Sequence, residues 1–295
     1  MEEQKWLADQ FEANRQRLSA VAYRMLGSLS EADDAVQETW LRLSRTEASG
    51  ITNLAGWLTT VVARVCLDLL RSRASRRETP LDARVPDPVV CFDGRDNPEQ
   101  QALLADSVSL ALLIVLETLP PAERLAFVLH DMFDVPFAEI ASLVGRSADA
   151  ARQLASRARR RVRGAPAVPD ADLPRQREVV EAFLAAARRG DFEALLAVLD
   201  PAVVVRADGG EAPEGVSWEV RGARAVAEQA VRFSQFVKSL QPVLVNGAAG
   251  IVSRLASGKP FSVMAYVVRK GKIVEIDVLV DPARIAALRL PSWDD

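Results

Sequence analysis

Arginine is concentrated in two short stretches of this 295-residue sequence, and a row of guanidinium groups on one surface is chemistry for nucleic-acid phosphate. From Ser147 to Arg163 there are six Arg against one Asp, and from Arg64 to Glu78 five Arg against one Asp and one Glu. The formal net charge of the chain is −3, so the basic character is local and implies two separate basic surfaces. A third grouping is acidic. In ADDAVQETW, Asp34 and Glu38 stand one helical turn apart, with Asp33 and Gln37 on the adjoining strip. These are binding groups, although the acidic strip taken alone is more often a solvated face. No Walker loop, metal-ligand cluster or nucleophile motif occurs, and Cys66 and Cys91 lack the spacing of a zinc or redox pair, so no catalytic residue, metal or cofactor is expected.

Each grouping needs an element to present it. In PFAEIASLVGRSADAARQLASRARRRVR, residues 138–144 suit a short helix, Gly145 breaks it, and Ser147 can cap the next, which is a helix-turn-helix pattern. Ser147, Asp149, Ala150 and Arg152 would lie at the leading end of the second helix, where base edges are reached. Arg157, Arg159, Arg160 and Arg161 follow along it. The plain alternative is a solvated arginine-rich helix in an ordinary bundle. The acidic strip reads as one face of a helix whose Val36, Trp40, Leu41 and Leu43 turn inward. The next helix starts near Asn53, carries Trp57 and Arg64, and ends with Arg71, Arg73, Arg76 and Arg77, a fit for phosphate contact and base capture. Trp57 alone would favour core packing.

Proline-rich stretches at 79–99 and 163–176 punctuate the chain. They divide it into a helical part (1–78), a linker (79–105), the helix-turn-helix part (106–163), a second linker (164–174) and an α+β part (175–290). In the last, the helical runs REVVEAFLAAARRG and DFEALLAVLD precede β-rich runs joined by brief Gly-containing turns, which predicts antiparallel hairpins in a curved sheet backed by helices. Hydrophobic residues at 49% and charged ones at 26% supply several cores, so most of the chain is expected to fold. The acidic start MEEQKWLADQ is unlike a signal peptide, and no apolar run approaches the roughly 18 residues of a membrane span, so a cytoplasmic protein without membrane contact is expected.

The order ADDAVQETWLRL, WLTTVVARVCLDLLRSRASRRE and LETLPPAERLAFVLHDMFDVPFAEIASLVGRSADAARQLASRARR resembles regions two and four of extracytoplasmic-function sigma factors, over residues 11–163. That resemblance implies two all-α sigma domains and two partners, core RNA polymerase and promoter DNA. It places polymerase docking on Asp33, Asp34, Gln37 and Glu38, capture of the melted minus-ten element on 53–77, and reading of the minus-thirty-five element on 147–161. Residues 175–290 resemble the SnoaL-like fold, helices over a strongly curved sheet around a cone-shaped cavity. A subset of these sigma factors carries such an extension, which modulates activity in place of a separate anti-sigma protein.

Three short features resemble motifs of that subset: VPDP (Pro86, Asp87, Pro88), DGGE (Asp208, Gly209, Gly210) and DPARI (Asp281, Pro282), with Glu211 and Asp281 departing from the pattern. The resemblance implies regulatory contacts that bring the DGGE loop and the tail near the first linker. A stiff linker, a turn and a helix cap are the plain readings. Relatives of the fold also include enzymes, for which Asp208, Glu219, Glu275 and Asp277 are the available acids, and an apolar pocket for a small-molecule ligand stays open. The one histidine, His130, falls outside this part and is expected to be packed or at the surface. A ligand-responsive helix-turn-helix regulator acting without polymerase is the alternative for the whole chain. It leaves the acidic strip and the second basic helix without a role.

Overall fold

The computed structural model describes residues 2–46, 51–75, 85–91, 108–163, 170, 172–210, 217–288 and 290. Arg76, Arg77 and Glu211 lie outside them. The chain forms two units, Met1–Pro80 with Val115–Ala165, and Leu81–Ile114 with Pro166–Asp295.

The first unit is helical throughout its described residues. Helices α1 (Glu2–Leu26), α2 (Leu29–Leu43) and α3 (Leu54–Ser75) bury apolar residues recurring at helical spacing, among them Leu18, Val21 and Met25, then Ala32, Ala35, Val36 and Leu43, then Leu58, Val62 and Cys66. Trp40 sits against Phe11, with ring centroids 5.1 Å apart. Leu41, expected inward, is 39% exposed, because five positions past Val36 it has rotated off the buried stripe.

Helix α4 (Leu110–Glu117) leads to α5 (Pro121–Phe127), which continues as a π-helical turn over Val128–Met132. Helices α6 (Phe137–Val144) and α7 (Ala148–Arg163) complete the module. Arg124 of α5, 1% exposed, fastens this module to the first helices: its Nε donates to the Arg24 carbonyl at 3.2 Å and its Nη2 pairs with Glu117 at 2.7 Å. Burial pushes the neighbouring Cys66 thiol up to about 12, partly opposed by the Arg124 charge. His130 packs on Phe137, ring centroids 3.8 Å apart, with Nδ1 3.1 Å from the Val135 carbonyl.

In the second unit, α8 (Leu173–Arg189), α9 (Phe192–Val198) and α10 (Ala223–Ser234) accompany a seven-stranded sheet of order β1-β4-β5-β6-β7-β2-β3. The strands are β1 (Val90–Cys91), β2 (Leu199–Asp208), β3 (Trp218–Arg221), β4 (Ser239–Val245), β5 (Ala248–Arg254), β6 (Pro260–Arg269) and β7 (Lys272–Leu279), and α11 (Pro282–Ala287) follows. The sheet was expected to be all hairpins, but β2 and β7 pair in parallel, Val205 opposite Ile276. Register shifts in β2, between β5 and β6 and between β6 and β7 are the local irregularities that bend strands and curve a sheet. The core of this unit lies between helices and sheet, around Val179, Phe183, Leu195, Val203, Ile251, Tyr266 and Ile276.

Strand β1 comes from VPDPVVC, a stretch read from its prolines as linker. Its apolar residues explain the change of role: Val85, Pro86, Pro88, Val89, Val90 and Cys91 are all buried, and β1 extends the sheet beside β4. Strand β3 and helix α10 had no counterpart in the sequence reading.

Candidate nucleic-acid interface and linker clasp

Helix α7 is presented as its sequence predicts. Gly145 takes the left-handed conformation at φ 67°, where a side chain would be strained, and the Arg146 amide donates to the Ala141 carbonyl at 3.0 Å to close α6. The Ser147 hydroxyl then accepts from the Ala150 amide at 3.2 Å and starts α7. Ala151, Leu154, Ala155 and Ala158 form its buried face. Arg152, Arg157, Arg160, Arg161, Ser147 and Asp149 are exposed on the remainder, while Ala150 and Arg159 are half-buried. Arg152 pairs with Asp149 and lies over the Phe137 ring, and Arg159 meets Asp131 at 2.5 Å. Arg157 and Arg161 stand 3.7 and 3.3 Å from the buried Glu123. These pairs orient the fork-shaped donors, which stay open to phosphate.

Asn53 is exposed and caps α3, its Oδ1 accepting from the Gly56 amide at 3.0 Å. Trp57 and Arg64 line a pocket of about 400 Å³ together with Arg42, Arg45, Thr46, Thr60 and Val61. Three arginines around an aromatic ring suit an unstacked base and its phosphate. Arg42 and Arg45 were missed by the sequence reading, although the basic spacing LRLSR was there to be counted. Arg71 is exposed, 4.0 Å from Asp68. Arg73, expected on phosphate, is instead turned to Glu31 and the Leu26 carbonyl, since α3 packs on α1 and α2 at that level. On α2, Asp33, Asp34 and Gln37 are exposed, and Glu38 is half-buried, 2.8 Å from Arg42.

The three flagged motifs of the second unit converge. Arg284, in α11, reaches the Asp208 carboxylate at 2.7 Å, Asp87 at 2.5 and 2.8 Å, and the Val85 carbonyl at 2.6 Å. Asp208 also accepts from the Val85 amide at 2.9 Å and from the Gly210 amide at 3.0 Å. Asp281 caps α11 by accepting from Ala283 and Arg284 amides at 2.9 and 3.2 Å, and Pro282 fills the first helical position. Gly210 has φ 78°, and a Cβ there would fall 2.1 Å from the Asp281 carboxylate, so this loop position is closed to other residues. Asn246, in the turn between β4 and β5, completes the grip: its side-chain oxygen accepts from the Val89 amide at 3.0 Å, its amide donates to the Val89 carbonyl at 2.8 Å, and its Nδ2 donates to the Val108 carbonyl at 3.2 Å. Arg284 and Asn246 were not singled out in the sequence. The first sits inside the quoted DPARI, and the second was legible only as a turn residue.

The remaining candidate acids do not meet in the cavity. Val205, Ala207, Ile276 and Val278 line it, and strand alternation puts Arg206, Glu275 and Asp277 on the opposite face. There Arg206 pairs with Glu275, with Asp277 at 3.2 Å and with Glu219 at 3.4 Å. Burial first, and the neighbouring Glu275 charge second, hold the Asp277 carboxyl well above its ordinary range against the pull of Arg206. Glu275 is raised too, chiefly by burial. No carboxylate or imidazole lines the cavity among the described residues.

The comparison with known proteins first gives the class. Residues 10–76 match Sigma-70 region 2 and residues 109–162 match Sigma-70, region 4. The chain is 40% identical over 286 residues to the ECF RNA polymerase sigma factor SigJ of Mycobacterium tuberculosis, covering 92% of this chain and 91% of that one. It is 38% identical over 281 residues to a probable ECF RNA polymerase sigma factor, SigI, of the same species, with 94% of each covered. The crystal structure of M. tuberculosis SigJ superposes with TM-score 0.76 at 35% identity, covering 96% of this chain and 100% of that one. The chain belongs to the ECF RNA polymerase sigma factors. Its activity is promoter-specific transcription initiation, and the alternative of a regulator working without polymerase is set aside.

Proposed function

We propose that the strip of exposed Asp33, Asp34 and Gln37 with half-buried Glu38 docks on core RNA polymerase, that the pocket around Trp57 and Arg64 takes a base of the melted minus-ten element, and that α7 reads the minus-thirty-five element. Ser147, Asp149, Ala150 and Arg152 would meet base edges, and Arg157, Arg160 and Arg161 phosphates. Arg71, with Arg76 and Arg77, would extend the phosphate contacts of α3, and Asn53 and Arg73 would position that helix. Among the described residues no helix is long and apolar enough to cross a membrane.

The C-terminal domain regulates this activity without chemistry of its own. The observation that carries the reading is Arg284 bridging Asp87 and Asp208, because it ties the segment joining the two DNA-binding modules to the C-terminal domain. A joining segment held in this way has less freedom to let the modules span two promoter elements. Placement of Glu219, Glu275 and Asp277 away from the cavity, and of Asp208 in the clasp, supports regulation over catalysis. The cavity offers a place for small-molecule control.

Run-off transcription by core polymerase tests both parts. Asp34→Arg should abolish promoter-specific transcripts, and Arg284→Ala in the full chain should raise their initial rate. Unchanged rates with Arg284→Ala would refute regulation through the clasp.

A further inference from the structure

The concave side of the C-terminal sheet encloses a cavity of about 520 Å³, inside the roughly 300–1,000 Å³ usual for small-molecule sites. Phe183, Trp218, Phe233 and Phe261 give it an aromatic wall, and the Phe233 and Phe261 rings stack with centroids 5.9 Å apart. Its only charged lining side chain among the described residues is Arg188, which is exposed. Tyr266 is different: it is 1% exposed, and its hydroxyl meets the Met264 thioether at 3.6 Å, a weak acceptor. Burial pushes the phenol's ionisation up, so it is a neutral hydroxyl with hydrogen-bonding capacity to spare inside an apolar wall.

The same wall includes Gly209, Val280 and Pro282. Gly209 follows Asp208, Pro282 stands between Asp281 and Arg284, and the Val280 amide donates to the Asp208 carbonyl at 2.8 Å. A molecule in the cavity therefore packs against the backbone that aims the clasp residues.

We propose that this cavity binds an uncharged, mainly aromatic small molecule carrying one hydroxyl or carbonyl oxygen for Tyr266, and that its binding tightens the Arg284 clasp on the linker. The proposal rests on the regulatory reading above. A charged ligand would leave water for a wall that offers it no buried partner. The wall is complete in the clasped form, so the ligand favours that form, and by linkage the clasp favours the ligand.

Fluorescence titration of the full chain with 1-naphthol and with 1-methylnaphthalene tests it. Saturable one-site binding of 1-naphthol is expected, lost in both Ala230→Trp and Gln229→Trp, which fill the cavity. Tyr266→Phe should weaken 1-naphthol about five-fold, the worth of one hydrogen bond, and leave 1-methylnaphthalene unchanged. Arg284→Ala should weaken 1-naphthol several-fold, and 1-naphthol should slow hydrogen exchange at the Val85 and Val89 amides of the parent chain. Non-saturable binding, or binding that survives both filling variants, overturns the site. Equal affinity in Arg284→Ala with unchanged exchange overturns the coupling alone. Run-off transcription by Arg284→Ala without any naphthalene reports separately on the regulatory reading.

Discussion

The arginines of α7 and the arginine of α11 do opposite work with the same side chain. Arg152, Arg157 and Arg161 are 59%, 49% and 52% exposed, so their donors stay open to solvent even though the Glu123 beside Arg157 and Arg161 is itself buried. Arg284 is 17% exposed, and its partner Asp208 only 5%, so its donors are committed to its own chain. An ion pair exposed on both sides, such as Arg152 with Asp149, is worth little and exchanges easily for a phosphate, whereas a pair buried on both sides is costly to break from one side. A guanidinium thus reads as a binding group or as a fastener according to burial, not to type.

The sharpest way to break that contrast is Arg284→Ala, expected to destabilise the C-terminal unit by roughly 3–5 kcal/mol because Asp208 keeps its burial and loses its cation. Thermal unfolding would measure it, and exchange at the Val85 amide would show whether the linker segment is released. Next comes DNA binding, followed by fluorescence anisotropy over a salt series. Arg152→Ala should cost about 1–3 kcal/mol at one base pair of the minus-thirty-five element, while Arg160→Ala should weaken all sequences alike and reduce the salt slope by about 1. Neither change should move the melting temperature much. Ser147→Ala should cost about 1 kcal/mol of stability by removing the cap of α7, seen as a lower midpoint in urea.

The smallest effect concerns Asp277, a fully buried carboxyl. Its folded pKa is raised, so the unfolded chain ionises first as pH climbs, and stability falls with rising pH above the ordinary carboxylate range until the folded group also ionises. Asp277→Asn should flatten that fall in melts taken over a pH series above the ordinary carboxylate range. An unchanged slope would show that the opposing Arg206 charge cancels the burial.

How far the sequence could be read follows the same division. The helix-turn-helix was legible because Gly145 and Ser147 act on neighbours within a few residues, and the buried alanines of α7 recur at helical spacing. The clasp joins residues 85–89, 208–210, 246 and 281–284, so its motifs were visible while the side chains that join them, Arg284 and Asn246, were not. The parallel pairing of β2 with β7 is equally non-local. Strand β3, WEVR, is only four residues long with neither face fully buried, so it has no strong period, whereas α10 carries Val226, Ala230 and Phe233 at helical spacing and was legible as an amphipathic helix that the sequence reading passed over. Arg73 shows the reverse error. Its place in a basic run suggested phosphate, and only the packing of α3 reveals Glu31 as its partner.

Strand β1 is two residues long, yet it covers the outer edge of β4. If the joining segment lets go, Leu244 and Val245 lose that cover, and the sheet ends in a raw row of amides and carbonyls ready to recruit any extended chain. Release of the linker thus brings stickiness with it: on the proposed regulation, the molecules freed for transcription would also be the ones prone to self-association, unless polymerase takes them up quickly.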